Sequence, residues 1–319
     1  MNHVVALIRL LRPAGCALLV ITAVSGPPAE KSIAQSVGSG ATAEATRGRD
    51  RGLAPVVEIQ DEDYAQARAK FHTKLLRNVA APQPWSPLKP PAGVSEVEYR
   101  SGKLTLKAWV NRPTEAARKL PAVLFLHGGF AFDQDDWAIS QPFRDAGFVV
   151  LTPMLRGENG QPGAFTLWYD EVDDGLAAAE WLKKQPYVDG NRLYVAGSSA
   201  GGTLALLAAM ASKDFRAAAS FSASPDQALL VKHARIELPF DKTNARELQL
   251  RSPLAYAASF KSPVRIYYAT YDHFVLTSQR TAEVAQARHL DVEAVRMEGD
   301  HGSIVPSSVK LSIKFFQEH

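Results

Sequence analysis

From residue 122 onward the chain alternates between short apolar runs and longer amphipathic stretches. The runs cover 122–126, 148–152, 193–196, 217–221, 264–268 and 292–295, and helical spacing fills 136–146, 168–185, 199–212, 277–288 and 304–317. Strands apolar on both faces and separated by helices predict a parallel sheet covered on both sides, because each linking helix must lie on a face of the sheet. Upstream the rhythm differs. Residues 94–99 and 104–110 alternate around Ser101-Gly102-Lys103, which predicts an antiparallel hairpin at one edge. Asp61 stands ready to cap a helix bearing Tyr64, Ala67, Phe71 and Leu75, and a proline-rich crossing over 81–91 leads from it to the hairpin. Between the last strands, 225–250 has room for a short cap at most. The expected fold class is α/β, a doubly wound and mostly parallel sheet with an N-terminal hairpin.

The first 55 residues stand apart from this pattern. Arg9 and Arg12 precede an uncharged run over 14–24, which Ser25, Gly26, Pro27 and Pro28 break. A basic start, an apolar run of this length and the small residues Ala23 and Ser25 at its exit predict a secretory signal peptide over 1–26, hence a secreted or periplasmic protein. A membrane anchor needs about 20 apolar residues, a length reached only by burying both arginines. The bulk of the apolar run, 17–24, follows Cys16 instead of preceding it, which excludes a lipoprotein signal. Residues 27–55, rich in Ala, Gly, Ser and charge, read as a flexible leader. Gly38 and Gly40 lack the strand and third glycine of a dinucleotide fingerprint. Residues 56–319 are then the α/β domain.

Composition narrows the function classes. At 46% hydrophobic and 22% charged, the chain can build a large core and is not disordered overall. A formal charge of +3, with no basic stripe interleaved with aromatics, gives no footing for nucleic acid. One cysteine excludes a disulfide framework and a multi-cysteine metal site, and no pair with H-E-x-x-H spacing occurs, so neither metal nor other cofactor is expected.

Chemistry concentrates at the ends of three predicted strands. Gly197-Ser198-Ser199-Ala200-Gly201 follows the strand LYVA and opens the helix GGTLALLAAM, so G-x-S-x-G stands where a sharp strand-to-helix turn lifts the middle serine into the open. Ser199 is the candidate nucleophile and Ser198 its off-centre neighbour. A serine needs a base, and the base an orienting acid. Asp272 and His301 follow two later strands in the order Ser–Asp–His of α/β-hydrolases, with His273 and Asp300 as adjacent alternatives. An oxyanion hole needs two N–H donors. One is the amide of Ala200; the other belongs to His127-Gly128-Gly129-Phe130, the HGG form of lipases and esterases, through either Gly129 or Phe130. His127 reads as a structural residue of that loop.

The segments VLFLHGG, PMLRGENGQPG, YVDGNRLYVAGSSAGG, RSPLAYAASFKSPVRIYYATYDHFV and GDHG together resemble the catalytic domain of the prolyl oligopeptidase family, with dienelactone-hydrolase-like proteins as relatives. The resemblance covers about residues 95 to 319 and implies the α/β-hydrolase type of sheet and a triad of Ser199, Asp272 and His301. Phe130 replaces the proline that commonly follows HGG in the family, and Ser199 stands where dienelactone hydrolases carry cysteine. The roughly 40 residues between leader and hairpin are about one propeller blade, so no substrate-screening propeller is expected within them. The resulting expectation is a serine hydrolase cleaving small carboxylic esters, with a serine peptidase acting on short peptides as the alternative and a non-enzymatic binding protein disfavoured by the intact triad. A peptidase needs an anchor for the peptide terminus, for which Asp133, Asp135 and Asp136 are the candidates. Phe130, Trp137 and Trp168, with Phe132 and Tyr169 nearby, are expected to line the acyl site. No membrane span is expected after signal cleavage.

Overall fold

Eight strands join in one sheet in the order β1-β2-β4-β3-β5-β6-β7-β8. They are β1 (Val94–Ser101), β2 (Leu104–Asn111), β3 (Leu120–Leu126), β4 (Val149–Pro153), β5 (Val188–Ser198), β6 (Ala218–Phe221), β7 (Val264–Ala269) and β8 (Val292–Met297). The computed structural model describes residues 53–113, 118–233 and 237–319; the expected signal peptide and nearly all of the expected leader lie outside them. The hairpin β1–β2 pairs antiparallel with β4, and β4 through β8 run parallel. Strands β4 and β6 are buried at every position, as continuous apolar runs require when helices cover both faces.

The helices are α1 (Tyr64–Ala69), α2 (Gln134–Ile139), α3 (Gln141–Asp145), α4 (Glu171–Lys183), α5 (Ala200–Ala211), α6 (Gln227–His233), α7 (Ala245–Gln249), α8 (Val275–Gln286) and α9 (Val305–Gln317), with a 3₁₀ segment at Pro253–Ser259. One apolar cluster joins the strands to α4, α5 and α8 through residues such as Leu124, Leu182, Leu204 and Ala282. The other joins them to α3 and α9, where Phe316 stacks on Tyr194 at 4.6 Å and on Phe143 at 5.9 Å. Helix α5 is buried from Ala200 to Met210, as an all-round apolar helix should be.

Two expected helices differ. The helix expected over 136–146 is two helices, because Pro142 lacks the N–H that a continuous helix needs there and Ser140 turns its hydroxyl back to the Trp137 carbonyl at 2.8 Å. The first helix is capped by Asp63 (3.1 Å to the Gln66 N–H), while Asp61 pairs with Arg288. That helix ends at Ala69, so Phe71 and Leu75 lie beyond it: Phe71 packs on Tyr169, and Leu75 bridges to Phe240 in the short cap carrying α6 and α7. Tertiary contacts of the arm override a spacing that alone favoured more helix.

Two features of this topology position the site. The chain passes from β3 out to β4 and returns across β3 to β5, so the loops after β3 and β5 meet at the point where strand order reverses, the usual binding crevice of an open α/β sheet. In addition, residues 53–92 form an arm that touches several of the loops following the strands. Their contacts include the His273 carbonyl (from the Leu53 N–H, 3.1 Å), Asp226 (from the Val56 and Val57 N–H groups, 2.6 and 2.9 Å), the Pro239 carbonyl (from Leu76, 2.6 Å) and the Gly157 carbonyl (from Ala81, 2.9 Å).

Candidate active site

Ser199 sits between β5 and α5 at φ 54°, ψ −114°, a conformation rarely adopted by a residue with a side chain, and its N–H is held by the Phe221 carbonyl at 2.8 Å. The turn closes because its flanks are glycine. A Cβ at position 201 would run into the carbonyl oxygens of Leu126 and His127, so only glycine lets α5 abut the end of β3. Ser199 is half-buried at the N-terminus of α5, whose dipole favours negative charge there. Ser198 is the last buried residue of β5 and pairs with Phe221 in the sheet.

His301 reaches Ser199 from the loop after β8: its Nε2 lies 2.9 Å from Ser199 Oγ, and its Nδ1 lies 2.6 Å from Asp272 Oδ2. The second carboxylate oxygen of Asp272 accepts the His273 N–H at 2.7 Å, so both oxygens are engaged. Asp272 is 5% exposed and His301 23%, which leaves the imidazole open on the serine side and shields the acid. Asp300 turns away and caps its own loop, accepting the N–H groups of Gly302 and Ser303 at 3.2 and 2.9 Å; these bonds from Ser303 hold its carboxyl below the usual range. His273 meets this site through its backbone, its N–H donating to Asp272 and its carbonyl accepting from Leu53. Ser222, at φ 50° after β6, donates its hydroxyl to the His301 carbonyl at 2.7 Å and so steadies the histidine loop.

Gly128 lies against Ser199, since a Cβ there would come within 3.7 Å of the Ser199 Cβ. The Gly128 N–H donates to Asp136 at 3.3 Å and the Phe130 N–H to Gln83 Oε1 at 2.9 Å, while the Gly129 N–H meets no acceptor among the described residues. Of the two amides left open by the sequence, Phe130 is therefore engaged elsewhere. The Ala200 amide, in the first turn of α5, has no intrahelical acceptor.

Beneath this loop lies a buried charge cluster. His127 donates from Nδ1 to the Gly128 carbonyl at 2.9 Å and from Nε2 to Glu158 at 3.0 Å. Burial works against its charge, but the Glu158 carboxylate outweighs it, with help from Asp136, and pushes the imidazole up to about 9. Burial pushes the Asp136 carboxyl up to about 7, against the pull of His127. Asp136 also forms a capping box with Asp133 at the start of α2, so two of the three aspartates considered as a peptide anchor are built into the loop.

The expected aromatic lining divides. Phe130 packs edge-on to Phe165 at 5.0 Å and tilted on Trp168 at 5.7 Å, in the cluster that contains Ala200. Leu167 and Trp168 are both left-handed, at φ 53° and 64°, in a segment whose Thr166 is held by Glu171. Trp137 is not part of this wall. Its ring is enclosed by Trp109 at 6.0 Å and by the Arg144 guanidinium at 4.1 Å, in the cluster of the opposite face; Phe132 lies there too, and Tyr169 holds the arm through Phe71. The acidic residues after HGG start α2 and turn its apolar side, with Trp137, into the core. The sequence reading missed Gln83, Glu158 and Ser222 as site residues. Glu158 lay within a recognised segment, but no local pattern marks Gln83 or Ser222, which act across 47 and 79 residues of chain.

Comparison with known proteins agrees with this architecture. A curated relative, dipeptidyl-peptidase 5 of Porphyromonas gingivalis, is 26% identical over 238 residues, covering 65% of this chain and 34% of the relative. Carboxylesterase 20 of Arabidopsis thaliana is 30% identical over 154 residues, 42% of this chain and 45% of the relative. The chain thus spans less than half the length of these two relatives. Among solved structures, the Pyrococcus horikoshii acylaminoacyl peptidase superposes with a TM-score of 0.59 at 21% identity, covering 70% of this chain and 41% of that one. A thermostable carboxylesterase from a metagenomic library superposes with a TM-score of 0.57 at 19% identity, covering 79% of this chain and 93% of that one. Both share the α/β-hydrolase fold seen here. The family model for the prolyl oligopeptidase family matches residues 134–313, more than half of the chain, including the serine turn and the loops of Asp272 and His301, and the chain belongs to that family.

Proposed function

We propose that the protein is a serine hydrolase that cleaves carboxylic esters of small molecules through an acyl-enzyme on Ser199. The observation that carries the reading is the continuous relay Ser199–His301–Asp272, with bonds of 2.9 and 2.6 Å. Ser199 Oγ attacks the ester carbonyl while His301 Nε2 takes its proton, and Asp272 holds the Nδ1 proton and faces the resulting imidazolium. The amides of Ala200 and Gly129 receive the oxyanion. The tetrahedral adduct collapses, His301 protonates the departing alkoxide, and the acyl group remains on Ser199. Water, activated by His301, then releases the acid and regenerates the serine.

Ester over peptide is favoured by the fate of the acidic loop. Asp133 and Asp136 are committed to the capping box and to Gly128, so neither is spare for a peptide's amino terminus. The pair Phe130 and Trp168 suits an apolar acyl group. We further propose export, with removal of residues 1–26, from the basic start and apolar run of the chain. The test is turnover of p-nitrophenyl esters of graded acyl length beside aminoacyl and prolyl anilides. Ester turnover with silent anilides is expected, and efficient anilide cleavage would overturn the ester assignment. Ser199→Ala should lower kcat by several orders of magnitude and abolish labelling by a fluorophosphonate; labelling that persists on Ser198 would overturn the nucleophile.

A further inference from the structure

We infer that Gln83, on the N-terminal arm, is a positioning residue for the oxyanion loop, and that the arm is thereby a working part of the active site. The inference rests on the serine-hydrolase reading above. Three consecutive amides of the loop have different fates. Gly128 donates to Asp136 at 3.3 Å and Phe130 donates to Gln83 Oε1 at 2.9 Å, so the amides on both sides of Gly129 are tied to side chains. Gly129 itself is left-handed, at φ 66°, and a Cβ on it would run into the Gln83 carboxamide oxygen. Gln83 is thus seated against the backbone of the residue whose N–H remains open. Its other end completes the clamp, with Nε2 at 3.5 Å from the Ala131 carbonyl. An acceptor facing an N–H and a donor facing a C=O define the orientation of the carboxamide, a pairing that an apolar side chain cannot reproduce.

The arm is built to hold this side chain still. Pro82 and Pro84 flank Gln83 in sequence, fixing their own φ angles and restricting Gln83 to extended backbone. Two residues before it, the Ala81 N–H bonds to the Gly157 carbonyl at 2.9 Å, and the Phe165 N–H bonds to the Val79 carbonyl at 2.9 Å. Two residues after it, the Trp85 ring rests on Gly160, where a Cβ would come within 2.9 Å of the ring. The carboxamide is therefore carried on a stiff, doubly anchored strap. Oxyanion donors stabilise a transition state only when their N–H groups already aim at the developing charge. Without Gln83 the Phe130 amide is released and the peptide carrying the Gly129 N–H is held on one side only. The loss falls on the chemical step, because the ground-state ester makes little use of that donor.

The experiment compares wild type, Gln83→Met, Gln83→Glu and Ser199→Ala on a p-nitrophenyl ester, with fluorophosphonate labelling and melting temperatures alongside. Removing an oxyanion donor outright costs about 10²–10³ in kcat, so misaiming one should cost roughly 10–100-fold. Gln83→Met is expected to lower kcat by that factor with KM within about threefold of wild type. Gln83→Glu supplies a readout that a merely structural residue would not move. Its carboxylate can accept the Phe130 N–H, but it turns an oxygen toward the Ala131 carbonyl and a charge toward the oxyanion. Protonated, it offers one acceptor and one donor, as glutamine does. The ratio of Gln83→Glu to wild-type kcat should therefore rise as pH falls through the carboxyl range, a comparison that cancels the titration of His301. Wild-type kcat in Gln83→Met, or a flat pH ratio in Gln83→Glu, overturns the inference while leaving the hydrolase reading intact. A wild type inert to the fluorophosphonate overturns both.

Discussion

Replacing Asp272 by asparagine tests the relay through proton bookkeeping alone. The carboxylate serves two donors, the His273 N–H at Oδ1 and the His301 ring at Oδ2. Asparagine has one acceptor and one donor end. If its oxygen keeps the His273 N–H, its NH₂ faces His301 Nδ1, the ring proton moves to Nε2, and the nitrogen facing Ser199 can no longer accept a proton. The opposite orientation restores the working tautomer but sets NH₂ against the His273 N–H, an unsatisfied arrangement costing about 1–3 kcal/mol. That alone limits the active arrangement to between about a sixth and about one in 150 of the molecules. Loss of the charge facing the imidazolium removes a charge-assisted bond worth about 1.5–3 kcal/mol, a further 10–150-fold. Together these give a fall in kcat of about 10²–10⁴, within the range of about 10⁴ known for the same change in one serine protease. Asp300→Asn should cost tenfold or less, because its remaining oxygen still accepts from Gly302 and Ser303. The assay is steady-state ester hydrolysis with circular dichroism to verify folding. A crippled Asp300→Asn beside an active Asp272→Asn would refute the reasoning.

Gly201→Ala drives a methyl into the carbonyls of Leu126 and His127 and should cost about 3 kcal/mol by urea denaturation, together with ester turnover; an unchanged midpoint contradicts the close approach. The His127 imidazole is pushed from its usual 6.5 to about 9, so its stabilising contribution, about 3 kcal/mol, is full below pH 6.5 and lost as pH rises through about 9; Asp136, raised to about 7, acts in the same direction over a lower window. Glu158→Gln should therefore melt lower than wild type at pH 6.5 and lose much of the alkaline decline between pH 6.5 and 9, whereas parallel melting curves would argue against the pair. If export removes the signal, N-terminal sequencing of the native protein should begin near residue 26 or 27 outside the cytoplasm, and a membrane-bound product retaining Arg9 would exclude cleavage.

The parts of this protein that its sequence determined by itself are those governed by local periodicity and local backbone geometry. Runs such as 148–151 have no polar position to turn outward, so they could only be strands covered on both faces, and β1 at 94–101 declared its buried face by alternation. Gly-x-Ser-x-Gly between a strand and a helix is equally local, since the turn it builds is a property of five residues. The register of Asp272 and His301 with Ser199 was legible because parallel strands deliver their loops to one edge of the sheet.

Tertiary structure alone decided what depends on groups far apart in the chain. Nothing near Phe130 announces that Gln83, 47 residues earlier, takes its amide and leaves Gly129 open. Trp137 and Trp168 are both aromatics close to the loops, and only the rotation of α2 sends one into the opposite core while the left-handed turn at Leu167–Trp168 lays the other on Phe130. The first helix stops short because the arm has contacts to make with the cap, an energy that a helical repeat cannot encode. Hydrogen bonds and packing across long separations are satisfied only once the sheet exists, so the sequence could single out Ser199, Asp272 and His301 while the fold chose which amides and rings surround them.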